Sequence, residues 1–528
     1  MNRQEPSCGL ASQTDVLAGS VTLRRTEAKQ RDRNQEHIEI DHLLPNLKRH
    51  TIMGGAIMIS AQAAKFVLNL GSTVILARLL TPRDFGLVAM VTAVTGFVAI
   101  FRHAGLATPT VQREHITHAQ VSNLFWINLG VSALCAIIVA ASSPIMAWFY
   151  HDARITYITL ALSTTFLIGG FRVQHVALLK RQMRFKAIAL IEVGSMAVGV
   201  VVGVVMALLD YRYWSLVGFS LATEVASFLL TGMVSRWKPQ LPTRGSGIGP
   251  MLTFGAHQTA GSFMFSLASR CDNVLIGRFY GPAAVGVYSR AAALVNRPIE
   301  EFLLPIGSVF LPTLSRLQSR PERYRSTFLR LYEAIAMSAF FFSSLLLALA
   351  TPITLVLLGP KWTQVGPIFA GFTLTAVQFP LGTAANWLLT SQGRGKDILR
   401  VISINSVLML ASFIVGLPFG PLGVALAFSS IGLLVRMPIL FYVSGRSGPV
   451  STSDLWTRLL RHLPLWVVML VTTWSMHTMV DHTHVLAQLV ICASVGMFVG
   501  VIFICMFQKQ RTVATDILDS VRELTKKL

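Results

Sequence analysis

Charged side chains are rare in the long apolar stretches of this chain, and most of those that occur there are basic. Lys65, Arg270, Arg290 and Arg297 each lie within such a stretch. In a medium of low dielectric these cations would attract an anion, and a guanidinium can hold two phosphate oxygens through parallel hydrogen bonds. The four residues are therefore candidates for binding an anionic group inside the protein.

Nearby carboxylates offer a second interpretation of the arginines. Arg270 could pair with Asp272, and Arg297 with Glu300 or Glu301, as structural links between helices. Lys65 has no obvious carboxylate within its own helix, which favours a role in a cavity. The sequence leaves both interpretations open for the two arginines.

Small polar residues accompany Lys65 on one face of the first predicted helix. Gln62, Lys65, Asn69 and Ser72 recur at steps of three and four, the spacing of one helix face. The seventh apolar stretch carries a similar stripe, formed by Gln258, Ser262, Ser266, Ser269 and Asn273. Because polar residues within membrane spans usually face an interior, we predict that Gln62 and Asn69 line a central cavity.

Carboxylates in apolar stretches are candidates for coupling transport to a proton or to Na⁺. Glu224 and Asp272 are the main candidates, and Glu192 and Glu300 are weaker ones. The alternative for each is a structural ion pair. No combination of nucleophile and base or of paired carboxylates stands out, so we predict no catalytic centre. The cysteines lack metal-ligand spacing, and His477, Asp481, His482 and His484 are interpreted as a solvated turn. We predict no metal and no cofactor.

The composition is that of an integral membrane protein. Of the 528 residues, 53% are hydrophobic and 13% are charged, about half the charged fraction of an average soluble domain. The net charge of +21 could suggest nucleic-acid binding. In a membrane protein, however, basic residues hold loops on the cytoplasmic side, and we predict no nucleic-acid partner.

Fourteen apolar stretches have the length of a membrane span. They cover residues 52–77, 85–101, 121–141, 155–171, 187–209, 214–235, 251–277, 283–311, 331–358, 366–390, 398–416, 421–443, 462–480 and 484–507. The loops on one side hold only six of the 45 Lys and Arg residues, so that side is predicted to be external. Both termini are then cytoplasmic.

Two pairs of segments indicate an internal repeat. Residues 76–90 align without gaps with 276–290, and residues 177–188 align with 387–398. Each pair falls at equivalent places in the two halves, separated by six helices, so the halves face the same way. We predict an all-α membrane protein with two six-helix lobes in parallel repeat, a two-lobed transporter arrangement, plus two C-terminal helices. The predicted division is a cytoplasmic tail (1–50), an N-terminal lobe (51–236), a linker (237–250), a C-terminal lobe (251–443), two further helices (444–508) and a cytoplasmic tail (509–528).

Several of these segments resemble the Wzx-type flippases, the polysaccharide transporter branch of the multidrug/oligosaccharidyl-lipid/polysaccharide exporter superfamily. The resemblance spans residues 50–510 and is carried by LARLLTPRDFGLVAM, GLATPTVQREHITHAQVSNLFWINLG, RQMRFKAIALIE, DNVLIGRFYGPAAVGVYSRA and GPKW. The second string is similar to the subgroup for lipopolysaccharide, colanic-acid-like and teichuronic-acid-like export. The tail 1–50 departs from the compact N-terminus usual in this family.

The resemblance implies a function in the bacterial inner membrane. It implies translocation of an undecaprenyl-diphosphate-linked oligosaccharide for lipopolysaccharide or exopolysaccharide biosynthesis, through a cationic cavity. It implies contact with membrane lipids, and it is compatible with contact with polysaccharide polymerase or chain-length machinery. One alternative is a cation-coupled small-molecule antiporter of the same superfamily, although twelve spans and fewer cavity cations are usual there. The other is a polymerase or ligase, an enzyme class that carries a large outer loop not found here.

Overall fold

A computed structural model describes most of the chain. It covers residues 47–102, 107–480 and 482–515, without the side chains of 47–52, 102, 254–258 and 260–267. The described residues form helices joined by short turns, and no strand occurs among them. This confirms the all-α class. Most of the two predicted tails lies outside the described residues, as do the side chains of Gln258, Ser262 and Ser266.

The first half contains six long helices and one short one. They are α1 (Leu47–Leu79), α2 (Pro82–Arg102), the short α3 (Ala107–Gln112), α4 (His118–Tyr150), α5 (Arg154–Arg181), α6 (Phe185–Leu208) and α7 (Trp214–Ser235). α4 packs along α5, α6 along α7, and α1 along α6. A capping box starts α4, in which Thr117 accepts from the backbone N–H of Gln120.

The second half begins with a very long helix that is bent back on itself. α8 (Gly249–Arg316) has non-helical backbone angles at Gly281, with φ at 78°, so it consists of two arms, 249–280 and 282–316. A glycine accepts this positive φ without steric cost. The predicted seventh and eighth spans correspond to these two arms.

The remaining helices complete the second half and add a pair at its side. They are α9 (Pro321–Ala348), α10 (Ala350–Leu358), α11 (Val365–Phe372), α12 (Thr375–Ser391), α13 (Gly395–Gly416), α14 (Gly420–Ile431), α15 (Met437–Gly445), α16 (Thr452–Leu460), α17 (Leu463–Met479) and α18 (Val485–Met506). A π-helical turn, Gly432–Arg436, joins α14 to α15. α17 and α18 pack on each other and against α9 and α10.

The number of membrane-spanning helices agrees with the prediction of about fourteen. Among the described residues, 11 helical stretches are long and apolar enough to cross a membrane. One of them, Gly395–Gly445, contains two predicted spans separated by a turn at Leu417–Phe419. The two arms of α8 supply two more. The protein is therefore a multi-pass membrane protein.

The two halves contact each other where the first helix of each half turns into the second. We call this the Gly281 end of the bundle. A β-carbon at Gly86 would lie 1.6 Å from the Pro282 carbonyl oxygen, and one at Gly286 would lie 1.8 Å from the Pro82 oxygen. The contact is reciprocal, as expected for equivalent segments related by a two-fold axis. The aligned segments 76–90 and 276–290 thus lie at the same end of the bundle, as a parallel repeat requires.

The second pair of aligned segments adopts the same turn at the opposite end, the Arg394 end. Met183 and Gly393 both have positive φ, at 52° and 67°. The arginine that follows each one then binds the end of the last helix of its half. Arg184 donates to the Val234 carbonyl at 3.4 Å, and Arg394 donates to the Val443 carbonyl at 2.6 Å. The shared Arg184 and Arg394 therefore have a structural role that fixes this turn.

Candidate functional site

A cavity of about 540 Å³ lies between α1 and the second arm of α8, and we call it the cleft. α1 contributes Gln62, Lys65 and Asn69, and α8 contributes Arg290 and Arg297. Five of the six residues predicted to line a cavity therefore lie around the same space. Apolar side chains of other helices complete the lining, among them Met196, Leu346, Ile353, Leu357 and Phe369.

Lys65 has an ion-pair partner that the sequence did not reveal. Its ammonium group donates to a carboxylate oxygen of Glu192 on α6 at 2.9 Å, and both side chains are about one-third exposed. The partner is 127 positions away, so no local spacing could indicate it. Much of the positive charge of Lys65 is consequently balanced within the N-terminal half.

A hydrogen bond to a carboxylate at the cleft joins α1 to α8, and a second carboxylate pairs within α8. The Gln62 side-chain amide donates to the carboxylate of Glu301. This hydrogen bond crosses the cleft between the two halves. Arg297 lies 3.6 Å from Glu300, one turn further along its own helix, and both side chains are exposed. The pairing of Arg297 with Glu300, one of the two alternatives raised by the sequence, is thus the arrangement in this structure.

Arg290 differs from the other two cations of the cleft. No carboxylate among the described residues lies within 4 Å of it, and its buried Nε has no hydrogen-bond partner among them. Its guanidinium lies over the Phe85 ring, 4.9 Å from the centroid, a cation–π contact that fixes the group without neutralising it. Arg290 therefore presents an uncompensated positive charge at the cleft.

Arg270, the sixth predicted residue, lies elsewhere. Its guanidinium rests on Gly96 of α2, where a β-carbon would come within 2.7 Å of the Arg270 Cζ. The side chain thus spans from the first arm of α8 to the N-terminal half. It is not among the residues that line the cleft.

The two main candidates for ion coupling also lie outside the cleft. Glu224 borders a separate cavity of about 350 Å³ in the N-terminal half, together with the hydroxyl groups of Thr92, Thr165 and Thr223. Arg172 lies 3.6 Å from the Glu224 carboxylate. Asp272 accepts hydrogen bonds from the backbone N–H and the side-chain amide of Asn273, at 2.6 and 3.2 Å.

Metal binding finds no donor set in the part of the chain that the structure describes. No group of three or more His, Cys, Asp or Glu side chains there is placed to hold a metal ion. In the predicted solvated turn, Asp481 lies outside the described residues. His484 caps the start of α18, where its Nδ1 accepts from the Leu486 backbone N–H at 3.3 Å.

The family is shown by a match that covers more than half of the chain. The model of the family described as polysaccharide biosynthesis protein matches residues 75–367. The chain belongs to this family. The match includes both aligned segments of the first repeat pair and all the cleft residues of α8.

Curated relatives extend this similarity. The lipopolysaccharide biosynthesis protein WzxC of Escherichia coli is 23% identical over 437 residues, 80% of this chain and 87% of that protein. The teichuronic acid biosynthesis protein TuaB of Bacillus subtilis is 24% identical over 57% of this chain and 62% of its own length. The succinoglycan biosynthesis transport protein ExoT of Rhizobium meliloti is 26% identical over 60% of this chain and 64% of its own.

Solved structures share the fold at low sequence identity. The lipid II flippase MurJ, in an inward closed conformation, superposes with a TM-score of 0.67 at 13% identity, over 87% of this chain and all of that one. An inward-facing multidrug transporter of the MATE family gives a TM-score of 0.59 at 14% identity, over 76% of this chain and 99% of that one. The chain is therefore a multi-pass membrane protein of the polysaccharide biosynthesis family, and these similarities agree with the resemblance to the Wzx-type flippases found in its sequence.

Proposed function

We propose that the protein carries a polyprenyl-diphosphate-linked oligosaccharide across the bacterial inner membrane, for the synthesis of lipopolysaccharide or exopolysaccharide. The observation that supports this most directly is Arg290, a cation at the cleft without a carboxylate partner among the described residues. A diphosphate left unpaired in hydrocarbon would cost tens of kcal/mol. A guanidinium that holds two of its oxygens would offset part of that cost.

The position of the cleft suits a substrate with a long lipid tail. It lies between α1 and α8, and these helices carry exposed apolar residues such as Val67 and Phe302. The polyprenyl chain could stay in the bilayer while the headgroup enters between the two halves. Such a lateral arrangement requires no passage of the tail through the protein.

We further propose that transport proceeds by alternating access, with both termini in the cytoplasm. In that orientation the Gly281 end is periplasmic, and here the backbone contacts of Gly86 and Gly286 close it. Hydrogen bonds from Trp362 to the Ala77 carbonyl, at 2.8 Å, and from Arg78 to the Val356 carbonyl, at 2.7 Å, add to the closure. Release of the headgroup on that side requires these contacts to separate.

The test is transport by the purified protein in vesicles. The substrate is a polyprenyl-diphosphate-linked oligosaccharide, and its arrival in the far leaflet is measured with an added glycosidase. The Arg290→Gln variant should bind substrate about 10 to 100 times more weakly, because one charge-assisted contact is lost. Arg278→Gln, an arginine of the same helix outside the cleft, is the matched control and should transport normally.

Two results would overturn the proposal. Normal transport by Arg290→Gln would remove the anion-binding role of the cleft. Transport of organic cations in place of the lipid-linked sugar by the wild-type protein would favour the small-molecule antiporter.

A further inference from the structure

A second cavity, at the Arg394 end, is lined by basic residues that the proposed transport path does not use. It measures about 630 Å³ and lies between the start of α9, the α16 segment and the residues that follow α18. We call it the basic pocket. Its cations are Arg325, Arg330, Arg458, Arg461 and Lys509, and its acids are Glu322 and Glu333. Its lining thus holds five basic and two acidic side chains, and Asp454, outside the lining, pairs with Arg325.

The arginines of the basic pocket are held in place by hydrogen bonds. Glu333 is buried, and its two carboxylate oxygens accept from Arg458 and from Arg461. Two guanidinium groups thus share one carboxylate, which leaves one positive charge over. Arg325 is fixed by a bidentate contact with Asp454, at 3.0 and 2.6 Å. A pre-organised arrangement of this kind favours an anion because little side-chain ordering remains to be done when it binds.

Lys509 completes the rim of the basic pocket from the other side. It is exposed, and no carboxylate among the described residues lies within 4 Å of its ammonium group. It extends from the segment after α18, whereas Arg458 and Arg461 extend from α16 and the residue after it. Cations from separate segments therefore surround one space, which a single helix face would not provide.

Exposed apolar residues adjoin these cations along the chain. Leu460 and Leu463 flank Arg461, and Met506 and Phe507 precede Lys509; their side chains are between 42% and 75% exposed. The pocket lies near the starts of the stretches Pro321–Ala348 and Thr452–Met479 and beyond the end of Val485–Met506, all long and apolar enough to cross a membrane, so we expect it at the depth of the lipid headgroups. Basic pockets between helices at this depth bind anionic headgroups. Exposed apolar residues beside the pocket suit acyl chains, which a free phosphate ion lacks.

We propose that the basic pocket binds the phosphate headgroup of an anionic phospholipid, with its acyl chains against Leu460, Leu463, Met506 and Phe507. The site is separate from the cleft and does not depend on the proposed transport function. Its ligand is a resident lipid of the membrane.

The test measures lipid binding to the purified full-length protein by native mass spectrometry. The probes are dioctanoyl phosphatidylglycerol, dioctanoyl phosphatidylcholine and inorganic phosphate. The double variant Arg330→Gln/Lys509→Gln leaves the Glu333 contacts in place and should bind phosphatidylglycerol about 10 to 30 times more weakly. Arg316→Gln/Lys396→Gln removes two exposed cations at the same end, outside the pocket, and should bind it as the wild type does.

Each alternative result contradicts a separate part of the proposal. Equal binding of phosphatidylcholine and phosphatidylglycerol would exclude recognition of charge. Displacement of phosphatidylglycerol by inorganic phosphate at the same concentration would assign the site to a free ion and remove the lipid. Equal weakening in the two double variants would show that the pocket is not the site. Thermal unfolding of every variant without lipid checks that each is folded.

Discussion

Replacing Gly86 or Gly286 by alanine should open the Gly281 end of the bundle. A β-carbon at Gly86 would lie 1.6 Å from the Pro282 carbonyl oxygen and 2.5 Å from its carbon, whereas real β-carbons essentially never approach closer than 3.0 Å. Both clashing atoms belong to the backbone, so rotation of a side chain cannot relieve the clash. The two segments must therefore separate by roughly 1.5 Å, and most of their van der Waals contact is then lost.

The free-energy cost of this clash determines how far the equilibrium moves. Overpacking a well-packed interior costs about 1–3 kcal/mol, and a clash between two backbones belongs at the upper end of that range. A cost of about 3 kcal/mol changes the ratio of closed to open protein by a factor of about 100. A transporter that samples both states would then be found mostly with this end open.

Spin labels can measure this change directly. Labels at the equivalent exposed positions Arg83 and Ala283 report the separation of the two turns. Their distance distribution should shift to longer values in Gly86→Ala and in Gly286→Ala. Gly55→Ala and Gly71→Ala are matched controls, because nothing lies within 4 Å of a β-carbon at either position. An unchanged distribution in both Gly86→Ala and Gly286→Ala would refute the reasoning.

Two further predictions concern the turns and the coupling candidate. Arg394→Ala removes hydrogen bonds to the carbonyls of Val443, Ser444 and Ser447 and should destabilise the protein by about 2–4 kcal/mol, measured as a lower Tm in detergent. Arg184→Ala loses one hydrogen bond of 3.4 Å and should lower the Tm less. An equal decrease of Tm in the two variants would contradict this prediction. Glu224→Gln should make vesicle transport insensitive to an imposed proton or Na⁺ gradient while transport itself remains, and an unchanged response to both gradients would exclude Glu224 as the coupling site.

The spans and the repeat were predictable because their signals are local. The length of an apolar stretch identifies a membrane helix. The alternation of basic and non-basic loops predicts on which side of the membrane each loop lies, without any knowledge of helix packing. The repeat was visible because Pro82, Gly86 and their counterparts at 282 and 286 serve one geometric purpose. Each glycine makes room for the other half's backbone, so its residue type is fixed by the contact.

The pairing of the charged residues was not predictable, because each partner comes from a distant part of the chain. Glu192 is 127 positions from Lys65, and Glu301 is 239 positions from Gln62. Whether two side chains on different helices meet depends on helix rotation and tilt, which packing sets and local spacing does not. The face that α1 presents could be predicted from its polar stripe, but the identity of what it faces could not.

Carboxylates pair with two of the three cations that line the cleft. Glu192 and Glu300 balance Lys65 and Arg297, and Glu301 is held by Gln62. Among the described residues of the cleft, this leaves Arg290 as the cation available to an anion. A diphosphate that enters the cleft would bring two or more negative charges into a space that Glu301 lines. Repulsion at low dielectric would then favour either separation of Glu301 from Gln62 or uptake of a proton by a carboxylate. The first event breaks a hydrogen bond between the two halves, and the second adds a proton to the transported complex. In either case, binding of the proposed headgroup would be linked to the step that moves it, because Arg290, Gln62 and Glu301 line the same cleft.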